Sequence, residues 1–213
     1  MIVLGLTGSI GMGKTVAAQM LRRLGAVVHD ADATVHRLLG RGGGAVAAVA
    51  AAFPGVAKDG TVDRDRLAKA VFGNPHALAR LEHILHPLVR RDEKRLLGQA
   101  QRQGRLLVVL DIPLLFETGG EVRVDAVVVI SAPAFLQRQR VLARPAMTAP
   151  RLDAILARQT PDQVKRRRAD FVVPSGLGRA FSFRRLRAIM VRTRGLQARH
   201  WPPSPYLVKK TER

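Results

Sequence analysis

Residues 5–15, Gly-Leu-Thr-Gly-Ser-Ile-Gly-Met-Gly-Lys-Thr, restrict this chain more than any other stretch. Residues 8–15 satisfy the pattern G-x-x-x-x-G-K-[ST], and they follow an apolar run at residues 2–7 that reads as a strand. From Lys14 the period changes. Ala17, Met20, Leu21 and Leu24 fall at helical spacing, and Gly25 supplies the stop. A glycine-rich turn between a strand and a helix makes a cradle for an anion. Glycines let successive backbone N–H groups turn inward, and the helix start adds the positive end of its dipole. Lys14 is expected to reach the β- and γ-phosphates of a nucleotide, and the Thr15 hydroxyl to ligate Mg²⁺. The expected nucleotide-binding set is Gly8, Ser9, Ile10, Gly11, Met12, Gly13, Lys14, Thr15 and Val16, with a nucleotide's phosphates and Mg²⁺ as its ligands.

The rest of the pattern gives the fold class. Residues 26–30 form a second strand, so the chain opens as a β-α-β unit. Continuous apolar runs at 106–110 and 126–130, and a short one at 171–173, predict further buried parallel strands. Helices are expected at 63–72, at 74–86 behind an Asn74-Pro75 start, and again at 88–103, with Pro87 kinking or splitting the pair. Two more are expected at 136–144 and 152–158. Strands alternating with helices predict an α/β fold with an open parallel sheet, its middle region forming a helical flap free of strands.

Composition narrows the function classes. The 213 residues suit one domain with a real core, and the absence of cysteine excludes disulfides, thiolate nucleophiles and cysteine metal sites. The six histidines show no ligand set. No apolar stretch is long enough to span a bilayer, and no signal peptide is apparent, so the reading is cytoplasmic with no membrane partner. The formal charge of +20 points to anionic partners, although arginine-rich codon bias accounts equally well for much of it. Aromatic residues make up 4%, too few for the stacking platforms of single-strand binders. The sequence sets no oligomeric state.

Acids stand where strands should end. Asp30-Ala31-Asp32 follows the second strand and Asp111 the third, and in open α/β sheets the ligand crevice lies at those ends. For Asp32, capping the following helix is a serious competing role. Taken in order, GLTGSIGMGKT, VHDADATVHRLL, ILHPLV, VVLDIPLLFE and QRVLAR resemble the dephospho-CoA kinase family over roughly residues 1–190. The resemblance implies an ATP-dependent transfer to the ribose 3′-hydroxyl of dephospho-CoA, giving coenzyme A and ADP. It implies a P-loop kinase core with an open parallel β-sheet, a helical substrate-binding subdomain at about 55–103 and a lid at about 145–168, all within residues 1–195. Residues 196–213 are expected to be a flexible tail.

Carried over by motif, Asp32 and Lys14 are the catalytic residues, Asp32 orienting the hydroxyl and accepting its proton. Asp32, His86, Leu115 and Glu117 would touch the acceptor, and Thr15 and Asp111 would lie at the metal. Arg140 and Arg144, four apart on one helix face, would grip ATP phosphates from the lid side, a solvated basic face being the alternative. For His86 the alternative is a locally bonded histidine at a helix kink. Met12 replaces the small residue common in relatives; because the loop acts through its backbone, little effect is expected. The nearest rival is another small-molecule or nucleotide kinase of the same architecture. A nucleic-acid-binding ATPase or a GTPase fits poorly, since no N-K-x-D string occurs. No nucleic-acid partner is expected.

Overall fold

The computed structural model describes residues 1–202. It falls into two compact units, Met1–His29 with the chain from Gln99 onward, and Asp30–Gly98.

The first unit is built on a five-stranded sheet of β1 (Ile2–Thr7), β2 (Val27–Asp30), β5 (Leu107–Asp111), β6 (Ala126–Ser131) and β7 (Phe171–Pro174), in the order β2-β5-β1-β6-β7. β1 runs parallel to β5 with Leu4 opposite Val109, and to β6 with Leu6 opposite Val128. All six residues of β1 and of β6 are buried, as their unbroken apolar character requires of strands covered on both faces. One core joins Leu4, Leu6, Val128 and Ile130 to Ala17, Ala18 and Leu21 of α1 (Lys14–Arg23) and to Leu186 and Ile189 of α9 (Arg179–Thr193). β1 sits at the centre, with β5 and β2 on one side and β6 and β7 on the other. The loop leaving β1 therefore opens at the switch point where α/β sheets place their ligands. Helices α6 (Ala134–Leu142), α7 (Ala149–Ala157) and α8 (Asp162–Arg168) lie between β6 and β7 in sequence. Part of the expected flexible tail is tied down: Arg199 and His200 donate backbone N–H bonds to Asp125 Oδ1, and Trp201 Nε1 donates to Gln101 Oε1. The remainder, residues 203–213, lies outside the described residues.

The second unit comprises α2 (Ala31–Leu39), α3 (Val46–Ala52), a hairpin of β3 (Ala57–Lys58) and β4 (Thr61–Val62), α4 (Arg64–Val71) and most of α5 (Pro75–Arg102). Its own core is Leu39, Ala45, Val49, Phe53, Val56, Val62, Leu67 and Leu85. Two expectations are corrected here. The middle region is not free of strands: Asp59 (φ 51°) and Gly60 (φ 74°) form a two-residue left-handed turn that closes the hairpin. Nor does Pro87 split the helix, because α5 runs unbroken through it for 28 residues. The proline ring removes one N–H from the ladder, and burial of Leu85 with Leu81, Ile84 and Leu88 packed on the same core holds the helix together across the gap. The starts of α4 and α5 are capped as their sequences predict. Asp63 accepts from the N–H groups of Asp65 and Arg66, and Asn74 from that of Ala77.

Candidate active site

The loop between β1 and α1 has the backbone its glycines allow. Gly11 has φ +77° and packs so closely that a Cβ there would stand 2.5 Å from the Val141 side chain. Gly13, at φ +91°, caps α1 from the left-handed region. The first helical turn closes when the N–H of Ala17 reaches the Gly13 carbonyl at 3.1 Å, so the N–H groups of Lys14, Thr15 and Val16 find no carbonyl within their own helix. These orphan donors and the helix dipole make an anion site.

Three other segments clamp the loop. Met12 is buried, and its thioether accepts the N–H of Ala132 at 3.0 Å, which anchors the loop to the end of β6. Its side chain is thus a structural peg, a role the sequence reading did not give it. Ser175, just after β7, donates its hydroxyl to the Met12 carbonyl at 2.6 Å. Arg140 donates to the Ser175 hydroxyl at 3.0 Å, to the Ser175 carbonyl at 2.9 Å and to the Gly11 carbonyl at 3.4 Å. The two peptides flanking Ile10 are each held: Gln137 Nε2 donates to the Ile10 carbonyl at 2.8 Å, and the Ile10 N–H donates to Gln159 Oε1 at 3.1 Å. Gln137, Gln159 and Ser175 escaped the sequence reading because isolated polar residues far along the chain carry no local pattern. Arg140 does reach the loop. Arg144 is not its partner on a helix face, since α6 ends at Leu142 and Arg144 is exposed beyond the cap.

Lys14 Nζ lies 2.6 Å from Asp111 Oδ1, and the Asp111 side chain is 3% exposed. The lysine is therefore held at the loop by a carboxylate at the end of β5. Thr15 is exposed at the start of α1, so the oxygen donors expected for Mg²⁺ are a hydroxyl and a carboxylate, both hard ligands. Among the described residues no group of three or more acidic, histidine or cysteine side chains could hold a metal ion.

The segment after β5 serves packing. Leu115 is fully buried, 3.0 Å from where a Cβ on Gly5 would stand, so its side chain packs in the core. Glu117 Oε1 accepts the N–H of Thr160 at 2.8 Å and pairs at 2.8 Å with Lys165, whose side chain is wholly buried. Burial alone would raise the Glu117 carboxyl, but the Lys165 ammonium and the backbone donors outweigh it and hold it below its ordinary value. Asp162 accepts the Ser131 hydroxyl at 2.7 Å, and Arg168 lies over the Phe116 ring while bonding Glu121. The basic run at 165–168 is thus partly committed: Lys165 and Arg168 anchor α8, while Arg166 and Arg167 are exposed.

In the second unit, the cap of α2 is Asp30, whose Oδ1 accepts the N–H of Ala33 at 2.9 Å. Asp32 lies in the first helical turn with an exposed side chain and takes no part in the cap. The competing role weighed for Asp32 therefore belongs to its neighbour. α2 is tied to α5 through Asp92, which receives Thr34 Oγ1 at 3.2 Å and Arg37 Nη2 at 2.8 Å. On α5, His83, His86, Pro87, Arg90, Arg91 and Lys94 recur at helical spacing and line an open groove of about 590 Å³. Its lining holds three fixed cations, two histidines and no acid.

Comparison with known proteins decides the family. The model of the family described as dephospho-CoA kinase matches residues 2–177. The chain is 60% identical over 204 residues to the dephospho-CoA kinase of Rhodospirillum rubrum, covering 94% of this chain and 95% of that one. It is 67% identical over 166 residues to that of Paramagnetospirillum magneticum, covering 78% of each. The chain belongs to the dephospho-CoA kinase family. It is an enzyme, a kinase of coenzyme A biosynthesis. The crystal structure of TT1252 from Thermus thermophilus superposes with a TM-score of 0.77 at 35% identity, covering 90% of this chain and 97% of that one. The dephospho-CoA kinase from Campylobacter jejuni, at 22% identity and a TM-score of 0.59, covers 89% of this chain and 96% of that one and shares the fold. Among the described residues, no helix is long and apolar enough to cross a membrane.

Proposed function

We propose that the chain transfers the γ-phosphoryl group of ATP to the ribose 3′-hydroxyl of dephospho-CoA in the cytoplasm. The β- and γ-phosphates bind the orphan N–H groups at the start of α1, and Lys14 leaves Asp111 to neutralise them. The Thr15 hydroxyl and Asp111 would hold Mg²⁺, which would supply further charge neutralisation on the phosphates. The 3′-oxygen forms a bond to the γ-phosphorus as the bond to the β–γ bridging oxygen breaks, and ADP leaves. Asp32 accepts the hydroxyl proton. Its exposure and its freedom from capping support that role, and a loose transition state asks for little beyond positioning and one base.

The acceptor's diphosphate lies along the α5 groove, gripped by Arg90, Arg91 and Lys94 with His86 beside it. The observation that carries this reading is the formed anion nest at the start of α1, with Lys14 held beside it by Asp111. Incubation with ATP, Mg²⁺ and dephospho-CoA, followed by ADP release and by detection of coenzyme A, tests it. ADP release no faster than with water as acceptor would reject the assignment.

A further inference from the structure

Gln159 is the one side chain from the connector between α7 and α8 that bonds to the phosphate loop. Its carbonyl oxygen takes the N–H of Ile10 at 3.1 Å, while buried Gln137, on α6, takes the carbonyl of the same residue at 2.8 Å. The N–H belongs to the Ser9–Ile10 peptide and the carbonyl to the Ile10–Gly11 peptide, so each of the two peptide planes flanking Ile10 is held by one glutamine and neither can flip without losing its bond. The next residue, Gly11, is the left-handed turn that aims the following amides, so the plane of the peptides at residue 10 sets where the nest points. The connector is itself fixed. The N–H of Thr160 is bonded to Glu117, Lys165 is paired with that carboxylate, and Asp162 is bonded to Ser131. The force that orients the loop thus runs from the core, through the connector, to Ile10.

We propose that Gln159 is a positioning residue for phosphoryl transfer, one that holds the phosphate loop in its anion-binding shape and links it to the segment that follows α7. The inference rests on the ATP reading given above.

The test compares wild type with Gln159→Ala, Gln159→Met and Gln159→Glu. ATP·Mg²⁺ affinity is measured by calorimetry, kcat and both KM values by steady-state kinetics, and Tm by thermal melting. Removing the acceptor oxygen, as Ala and Met do, is expected to weaken ATP binding about three- to tenfold and to lower kcat by a similar factor. The KM for dephospho-CoA should stay unchanged. Met keeps the side-chain volume, so it carries the comparison if Ala proves unstable. Glu keeps an acceptor but adds charge beside the incoming phosphate, so its ATP affinity relative to wild type should worsen as pH rises from about 5 to about 7.5. Wild-type ATP affinity and kcat in both Ala and Met would overturn the proposal. So would losses in which both KM values and Tm move together, the mark of a purely structural role. Failure of wild type itself to bind ATP would instead remove the kinase reading beneath it.

Discussion

Lys14 and Asp111 form an ion pair at 2.6 Å in a place where nucleotide phosphate is expected, so the lysine must exchange one anion for another when ATP arrives. Its charge matters most in the transition state, where negative charge spreads over the transferred group. Lys14→Met is expected to abolish measurable ADP release while leaving the circular dichroism spectrum and cooperative unfolding intact. Normal turnover in that variant would contradict the nucleotide assignment. Asp32 offers a sharper separation, because Asp30 already does the capping. Asp32→Asn should lower kcat by about a hundred- to ten-thousandfold with ATP affinity unchanged, the usual loss of a general base. Asp30→Ala should do the converse, costing about 1 kcal/mol of stability through the lost cap. If Asp30→Ala abolished turnover while Asp32→Asn spared it, the two roles would have to be exchanged.

Elements show where a sequence speaks plainly and where it does not. The loop and α1 were legible because glycine spacing, a strand before and a helical period after all point one way. The caps at Asp63 and Asn74 were legible for the same local reason. α3 and α9 were not. An alanine-rich segment has too little contrast to show a buried face, and in α9 the arginines Arg184, Arg185 and Arg187 crowd around the core position Leu186 and blur the apolar period. Pro87 misled because propensity is local whereas the packing that overrides it is tertiary. Leu115 and Glu117 were read by motif as acceptor contacts, and only burial and bonding assign them to packing and to the anchor of α8.

That anchor has a measurable strength. Glu117→Gln would leave the Lys165 ammonium wholly buried without its counter-charge, an error of about 3–5 kcal/mol, or roughly 6–20 °C in Tm. Unchanged stability with a raised KM for the acceptor would restore Glu117 to substrate binding. The same pair sets an acid limit. The folded carboxyl titrates below its ordinary value of 4.5, so its contribution is complete above that pH and is lost as pH falls through the lower folded value.

At the scale of the whole molecule, the formal charge of +20 raises the question of which anion the protein serves. Two focused cationic features answer it, the nest at α1 and the α5 groove, and both suit small phosphorylated ligands better than a polymer. A groove of about 590 Å³ is the size of a ligand pocket, not of a duplex track. The test uses salt. Ions shorten the reach of exposed charge from about 10 Å at 0.1 M to about 3 Å at 1 M, so attraction exerted by the global field should fade while contacts inside the nest persist. Raising KCl across that range is therefore expected to increase the KM for both substrates severalfold with kcat nearly constant, since chemistry occurs after the phosphates are seated. Arg90→Ala and Arg91→Ala should each raise the KM for dephospho-CoA about tenfold to a hundredfold at every salt concentration, with ATP affinity unaffected. Any binding of duplex DNA should be sequence-blind and vanish over the same range. DNA binding that outlasted the salt series, together with acceptor kinetics indifferent to Arg90 and Arg91, would mean that the groove serves a polyanion instead.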